Sequence, residues 1–141
     1  MTLQSLITRV EAGSGRDYEL DGAICEALQY VGDCPSARNV KALPNAWFGN
    51  MIEFDRGNGV EKWIAPALCS SIDAIRALML ARVPGRGLYI FAADDKLPVV
   101  IIWESGLMDD CSSDESEKSK HSDIHRAFLS ATLKAIAAKE G

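Results

Sequence analysis

Apolar residues recur at the spacing of one helix face over Leu3, Leu6, Ile7 and Val10, with Thr2 placed to cap the start. The spacing predicts a helix that stops at Gly13, where a left-handed residue would close the last turn. A second stripe, Leu20, Ile24, Ala27, Leu28 and Val31, opens after Asp17 and ends at Gly32. Residues 33–45, "DCPSARNVKALPN", hold two prolines and no period and read as a connecting loop. The stretch "WFGNMIEFDRGNGVEKWIA" alternates loosely around Asn58-Gly59, which predicts a hairpin with strands near 47–55 and 60–65. A third helix is predicted from about 71 to 82, capped by Ser70 or Ser71 and stopped by Pro84-Gly85. Only Asp73, Arg76 and Arg82 break its apolar surface, so it is expected to be substantially buried.

In "GLYIFAADDKLPVVIIWES" two strands flank a tight turn at Asp94, Asp95 and Lys96. Side chains alternate between strand faces, so five successive apolar residues from Val99 to Trp103 call for cover on both faces. Residues 107–121, "LMDDCSSDESEKSKH", are polar and charged and read as a mobile acidic loop. From Ser122 a last helix runs to about 139, with Ile124, Phe128, Ala131, Ala135 and Ala138 on one face and Leu129, Leu133 and Ile136 on another. No internal repeat is visible. The expectation is one α+β domain over residues 1–141: a three-layer α/β/α sandwich, mainly antiparallel, with helices on both faces of the sheet.

Composition narrows the function more than it specifies it. The chain has 141 residues, the size of one ordinary domain, and a net charge of −5, which disfavours a phosphate backbone as partner. The start "MTLQSLITRVEA" lacks the basic and apolar regions of a signal peptide, and "LPVVIIW" is too short to span a bilayer. A cytoplasmic protein without nucleic-acid or membrane partners is expected. Its four cysteines, Cys25, Cys34, Cys69 and Cys111, would then be reduced, and none forms a C-x-x-C pair suited to zinc.

Candidate chemistry is thin. "VEAGSGRDYELD" places Gly13, Gly15 and Arg16 between two helices, but it follows no buried strand and carries no Gly-Lys-Ser/Thr ending. It reads as a hinge rather than a phosphate loop. His121 and His125 lie four apart, the spacing of two ligands on a helix, yet the first falls before the helix starts. Asp55, Asn58 and Glu61 give a faint calcium-loop outline that lacks the alternating oxygens of the full motif. Asp94, Asp95, Asp109 and Asp110 fall in turns and loops where carboxylates are usually solvated, and the serines of "CSSDESEKSK" read as linker. No catalytic, metal or cofactor residue is assigned. Trp47, Phe48 and Trp63 cluster on the first hairpin and complete the core or, on an edge, mark a partner surface.

"SLITRVEAGSGRDYELDGAI" resembles the opening of the phage ABA sandwich domain family, small proteins of phages and prophage regions. "SSIDAIRALMLARVPGRG" is similar to that family's second landmark helix, and "AFLSATLKAIAAK" to its closing helix. The resemblance covers about two thirds of the chain. Leu68 and Cys69 stand where a Tyr-Thr pair is expected, and the hairpin at 47–65 and the segment at 107–121 are additions. The resemblance implies a three-layer sandwich and transfers no catalytic residue. It points to a phage or prophage accessory protein acting through contacts with another protein or with itself. The alternative is a small-ligand binder or enzyme with a site at a sheet end near Arg82 and Arg86.

Overall fold

Thr2 accepts a hydrogen bond from the Ser5 N–H, Asp17 from Leu20 and Ser71 from Ala74, so three helices begin at the side chains chosen from sequence. The computed structural model describes residues 2–32, 34–43, 51–91, 99–104, 117–121 and 123–140, with the strands between 86 and 120 described by their backbone. In chain order the elements are α1 (Leu3–Ala12), α2 (Tyr18–Leu28), β1 (Arg38–Leu43), β2 (Met51–Asp55), β3 (Val60–Ile64), α3 (Ile72–Arg82), β4 (Arg86–Phe91), β5 (Val99–Glu104), β6 (Glu117–Lys120) and α4 (Ile124–Glu140). The protein is α+β, and its described strands form two antiparallel three-stranded sheets, β1-β2-β3 and β4-β5-β6.

Helix α4 is the centre of the molecule. Every residue from Arg126 to Leu133 is buried, and the helix packs on α1 and α3 as well as on β5 and β6. Over this stretch both predicted faces are covered, while Ala138 at the end of the first face is exposed. Helix α2 carries the first sheet, packing on β1 and β2 through a core that includes Leu20, Ile24, Val40, Ile52 and Phe54. Gly22 allows this approach: a Cβ there would lie 3.3 Å from the Ala42 Cβ.

Several expectations need correction. Gly13 does not end α1 with a left-handed turn; its φ is −105°, an ordinary extended value. It is small because the Arg126 guanidinium lies where a side chain would go, 3.1 Å from a Cβ at this position. Helix α2 ends at Leu28, and its left-handed cap is Gln29 at φ 53°, not Gly32. The presumed loop 33–45 contains β1, and the presumed loop 107–121 contains β6, which pairs with β5 from Ile102↔Glu117 to Val99↔Lys120. Residues 107–116 of that loop lie outside the described residues. In the hairpin, the Arg56 N–H donates to the Gly59 carbonyl, so the two central residues are Gly57 and Asn58 rather than Asn58 and Gly59. Gly57 takes the positive φ, 97°, that such a tight turn requires. Helix α3 buries one stripe, Ile75, Leu78 and Met79, and leaves Ala77, Leu80 and Ala81 exposed.

The first sheet has one covered face and one open face. Ile52 and Phe54 point into the core, while Met51, Glu53 and Asp55 alternate with them on the outer side. Its β1 edge is closed by α2. The Gln29 amide donates to the Val40 carbonyl (3.0 Å) and accepts from the Val40 N–H (2.9 Å), and Glu26 accepts from the Ala42 N–H. Side chains thus do at β1 what a fourth strand would do.

Candidate interaction surface

The loop 13–17 is clamped by the first turn of α4. Asp123 accepts the Gly15 N–H (2.8 Å), while Arg126 donates twice to the Gly15 carbonyl (2.8 and 3.1 Å) and once to the Val10 carbonyl at the end of α1 (3.1 Å). The anion held by this loop is the chain's own carboxylate. Arg16 points elsewhere, its guanidinium 4.4 Å from the Tyr18 ring centre.

His121 and His125 do not form a ligand pair on one helix face, since α4 begins at Ile124. The His121 Nδ1 accepts the Asp123 N–H, and the His125 Nδ1 meets the Asp123 Oδ1 at 3.1 Å. Burial alone would raise the Asp123 carboxyl, but the N–H groups of Gly15 and His125 and the His125 ring outweigh it and hold it below its usual value. Asp55 accepts the Gly57 N–H and Glu61 pairs with Arg56, so both acids of the calcium-like outline are engaged in closing the hairpin.

One ionisable cluster was not anticipated. Asp21 is fully buried; its Oδ1 accepts the Cys69 N–H at 2.9 Å, and among the described residues no hydrogen-bond donor meets its Oδ2. Burial pushes its carboxyl up, against the Cys69 hydrogen bonds and the Arg16 charge. Burial and the Asp21 charge push the Cys25 thiol up to about 12 and raise Cys69 in the same sense. A thiol held neutral is a poor nucleophile, and these groups have no exposed surface. Sealed in this way, the cluster ties α2 to the chain before α3 and is not placed to meet a substrate. Among the described residues no group of three His, Cys, Asp or Glu converges on a metal position.

The alternative site near Arg82 is partly occupied by the fold. Arg82 donates to the Leu28 and Gln29 carbonyls, closing the end of α2, and the cavity beside it holds about 160 Å³. Arg86 opens β4, where it pairs in register with Glu104. A larger cleft of about 400 Å³ runs along α2 past Arg9, Tyr18, Glu19 and Glu26, and Glu26 is the group already bound to Ala42.

A further concavity, about 270 Å³, lies between β3 and α3 and is lined by Tyr30, Val31, Trp63, Ile64, Pro66 and Ala77. It is mainly apolar and open. Trp63 stands on edge to Phe54 (centroids 4.8 Å, planes at 83°), with Arg56 over its ring at 5.8 Å. Ile64 in this lining is 58% exposed, Leu80 on α3 is 54% exposed, and Val60, 62% exposed, lies away from the groove beside Lys41, Glu53 and Asp55. Trp63 is thus half-buried at the rim of this groove, and Trp47 and Phe48 lie outside the described residues, as do Cys111, Asp94, Asp95, Asp109 and Asp110. Sequence patterning marked Ile64 and Leu80 as apolar but not as exposed, because only the packing of α3 and the edge position of β3 leave them uncovered.

Among the described residues no helix is long and apolar enough to cross a membrane. No protein-family model matches this sequence, and no curated protein or solved structure shows significant similarity to it.

Proposed function

We propose that this chain is a non-catalytic protein that acts by contact with another protein, through the apolar groove between β3 and α3. The observation that carries this reading is that Ile64, 58% exposed, lines the groove beside half-buried Trp63, with exposed Leu80 one helical turn from the lining residue Ala77 on α3. Apolar patches beside a polar pair such as Arg56 and Glu61 are what a partner surface requires. The buried acids and thiols, by contrast, are turned to holding helices together. The likeness of the opening and closing segments to phage ABA sandwich proteins supports a phage or prophage accessory role. For the second sheet, the packing of α4 on β5 together with the apolar run Val99–Trp103 supports cover on both faces, the sandwich arrangement in that half of the molecule.

Photo-crosslinking side chains placed at positions 64 and 80 are expected to give one discrete adduct in cells that naturally express the chain, and none from the exposed α1 position 8. Equal labelling from all three positions would remove the surface assignment. A hydrolase, phosphatase and metal-dependence screen of the purified chain, repeated with His125→Ala and Asp21→Asn, tests the other half. Turnover lost in either folded variant would overturn the non-catalytic reading.

A further inference from the structure

The first sheet has two edges, and they are not equivalent. At β1 the outward Val40 and Ala42 groups are taken by Gln29 and Glu26. At β3, among the described residues, a strand lies on one side only. The direction of its backbone groups follows from the hairpin. The Arg56 N–H bonds the Gly59 carbonyl, so hydrogen-bonded pairs recur at every second position, Phe54↔Glu61 and Ile52↔Trp63. Glu61 and Trp63 therefore turn their N–H and C=O toward β2. Val60, Lys62 and Ile64 turn theirs outward, and the side chains of these same three residues lie on the open face.

That open face is ordered in rows. Cross-strand register aligns Leu43, Met51 and Ile64 in one row and Lys41, Glu53 and Lys62 in the next. The second row alternates positive, negative, positive. A strand laid against β3 continues each row, and residues directly opposite interact most strongly. The position opposite Lys62 calls for an acid; those opposite Ile64 and Val60 call for apolar side chains.

Resting on the reading of this chain as an interaction protein, we propose that β3 takes an extended segment of another protein by strand addition. The segment has the pattern apolar–x–acidic–x–apolar, run antiparallel, with its acid opposite Lys62. A second copy of β3 fits poorly. The longest antiparallel self-register sets Lys62 against Lys62, and a shift by two in one direction sets Glu61 against Glu61. The opposite shift sets Trp63 on Trp63, whose ring already packs on Phe54.

The probes are two capped heptapeptides of alternating threonine and valine whose central residue is glutamate in one and lysine in the other, titrated while backbone amide resonances are followed. The glutamate peptide is expected to shift the amides of Val60, Lys62 and Ile64 and to bind at least fivefold more tightly than the lysine peptide. Lys62→Glu, an exposed change that leaves the fold intact, is expected to reverse the preference. Equal binding of the two peptides, no binding at millimolar peptide, or a folded Lys62→Glu variant without reversal would each overturn strand addition. Shifts confined to Ala77 and Leu80 would also overturn it, yet leave the groove as a partner surface. A concentration-dependent dimer that competes with the peptide would assign the edge to a second copy instead. Loss of the position-64 and position-80 crosslinks, by contrast, bears on the interaction reading itself.

Discussion

Arg126→Met is expected to lower stability by about 3 kcal/mol, a fall in melting temperature of roughly 10 °C for a domain of this size. Arg126 is a cation buried to 2% exposure, so its desolvation opposes folding. Three charge-assisted hydrogen bonds offset this, one to the last turn of α1, where the helix dipole also favours positive charge. Methionine keeps most of the volume but leaves the Val10 and Gly15 carbonyls without these donors. Gly13→Ala is expected to cost about 1–2 kcal/mol in the native background, because its Cβ would press on a guanidinium pinned at three points. In the Arg126→Met background the same change is expected to cost nothing, since φ −105° suits alanine. Denaturant melts of the four proteins give the coupling directly. Additive effects, or an Arg126→Met change below 1 kcal/mol, would contradict the clamp.

Asp21→Asn is expected to stabilise the protein by about 1 kcal/mol at pH 8 and to be nearly neutral at pH 4. The folded-state carboxyl is raised above its unfolded value, chiefly by burial, with no donor at Oδ2 among the described residues. For such a group the favourable contribution is complete below the unfolded pKa and is lost as pH rises through the folded pKa. Asparagine stays neutral and keeps an oxygen for the Cys69 N–H, so it removes that loss. Asp123 has the opposite sign. Its carboxyl is lowered in the fold, so its contribution is present above the unfolded pKa and is lost as pH falls through the folded one. Thermal melts from pH 2 to 8 should therefore show a flatter alkaline limb in Asp21→Asn, the limb above the unfolded carboxyl value, with the acid limb below it unchanged. An unchanged alkaline limb would mean that Asp21 is not the group responsible.

Helices and the first hairpin were legible in the sequence because their signals are local: Thr2, Asp17 and Ser71 as caps, apolar spacing behind them, and Asn58-Gly59 marking the hairpin, whose turn the structure centres one residue earlier on Gly57-Asn58. Strands β1 and β6 were not. Arg38–Leu43 has its most buried residue at Val40 alone and owes its place to β2 on one side and Gln29 on the other. Glu117–Lys120 pairs through its backbone, which leaves no apolar trace in "EKSK". The buried ionisable groups did leave a trace. Asp21 precedes Ile24, Cys25 and Leu28 at helical spacing, and Arg126 precedes Leu129 and Leu133, so both stand on apolar stripes. A charged residue on such a stripe needs a backbone partner, and neither Cys69 nor Gly15 can be identified without the fold. The interaction surface was half legible: Trp63 was marked, whereas the exposure of Ile64 and Leu80 depends on which faces the tertiary packing leaves open.

The stoppered β1 edge sets a limit on assembly. A sheet open on both sides can recruit strand after strand, the growth law of a fibre. With Gln29 and Glu26 on one side, the first sheet has, among the described residues, one edge left for a strand. In the language of polymers the chain is monofunctional at this sheet: if a strand adds at β3, the β1 side offers no second docking edge. On the proposed strand addition, copies of this chain would therefore sit as end groups rather than links, each holding one partner strand through this sheet and not bridging two.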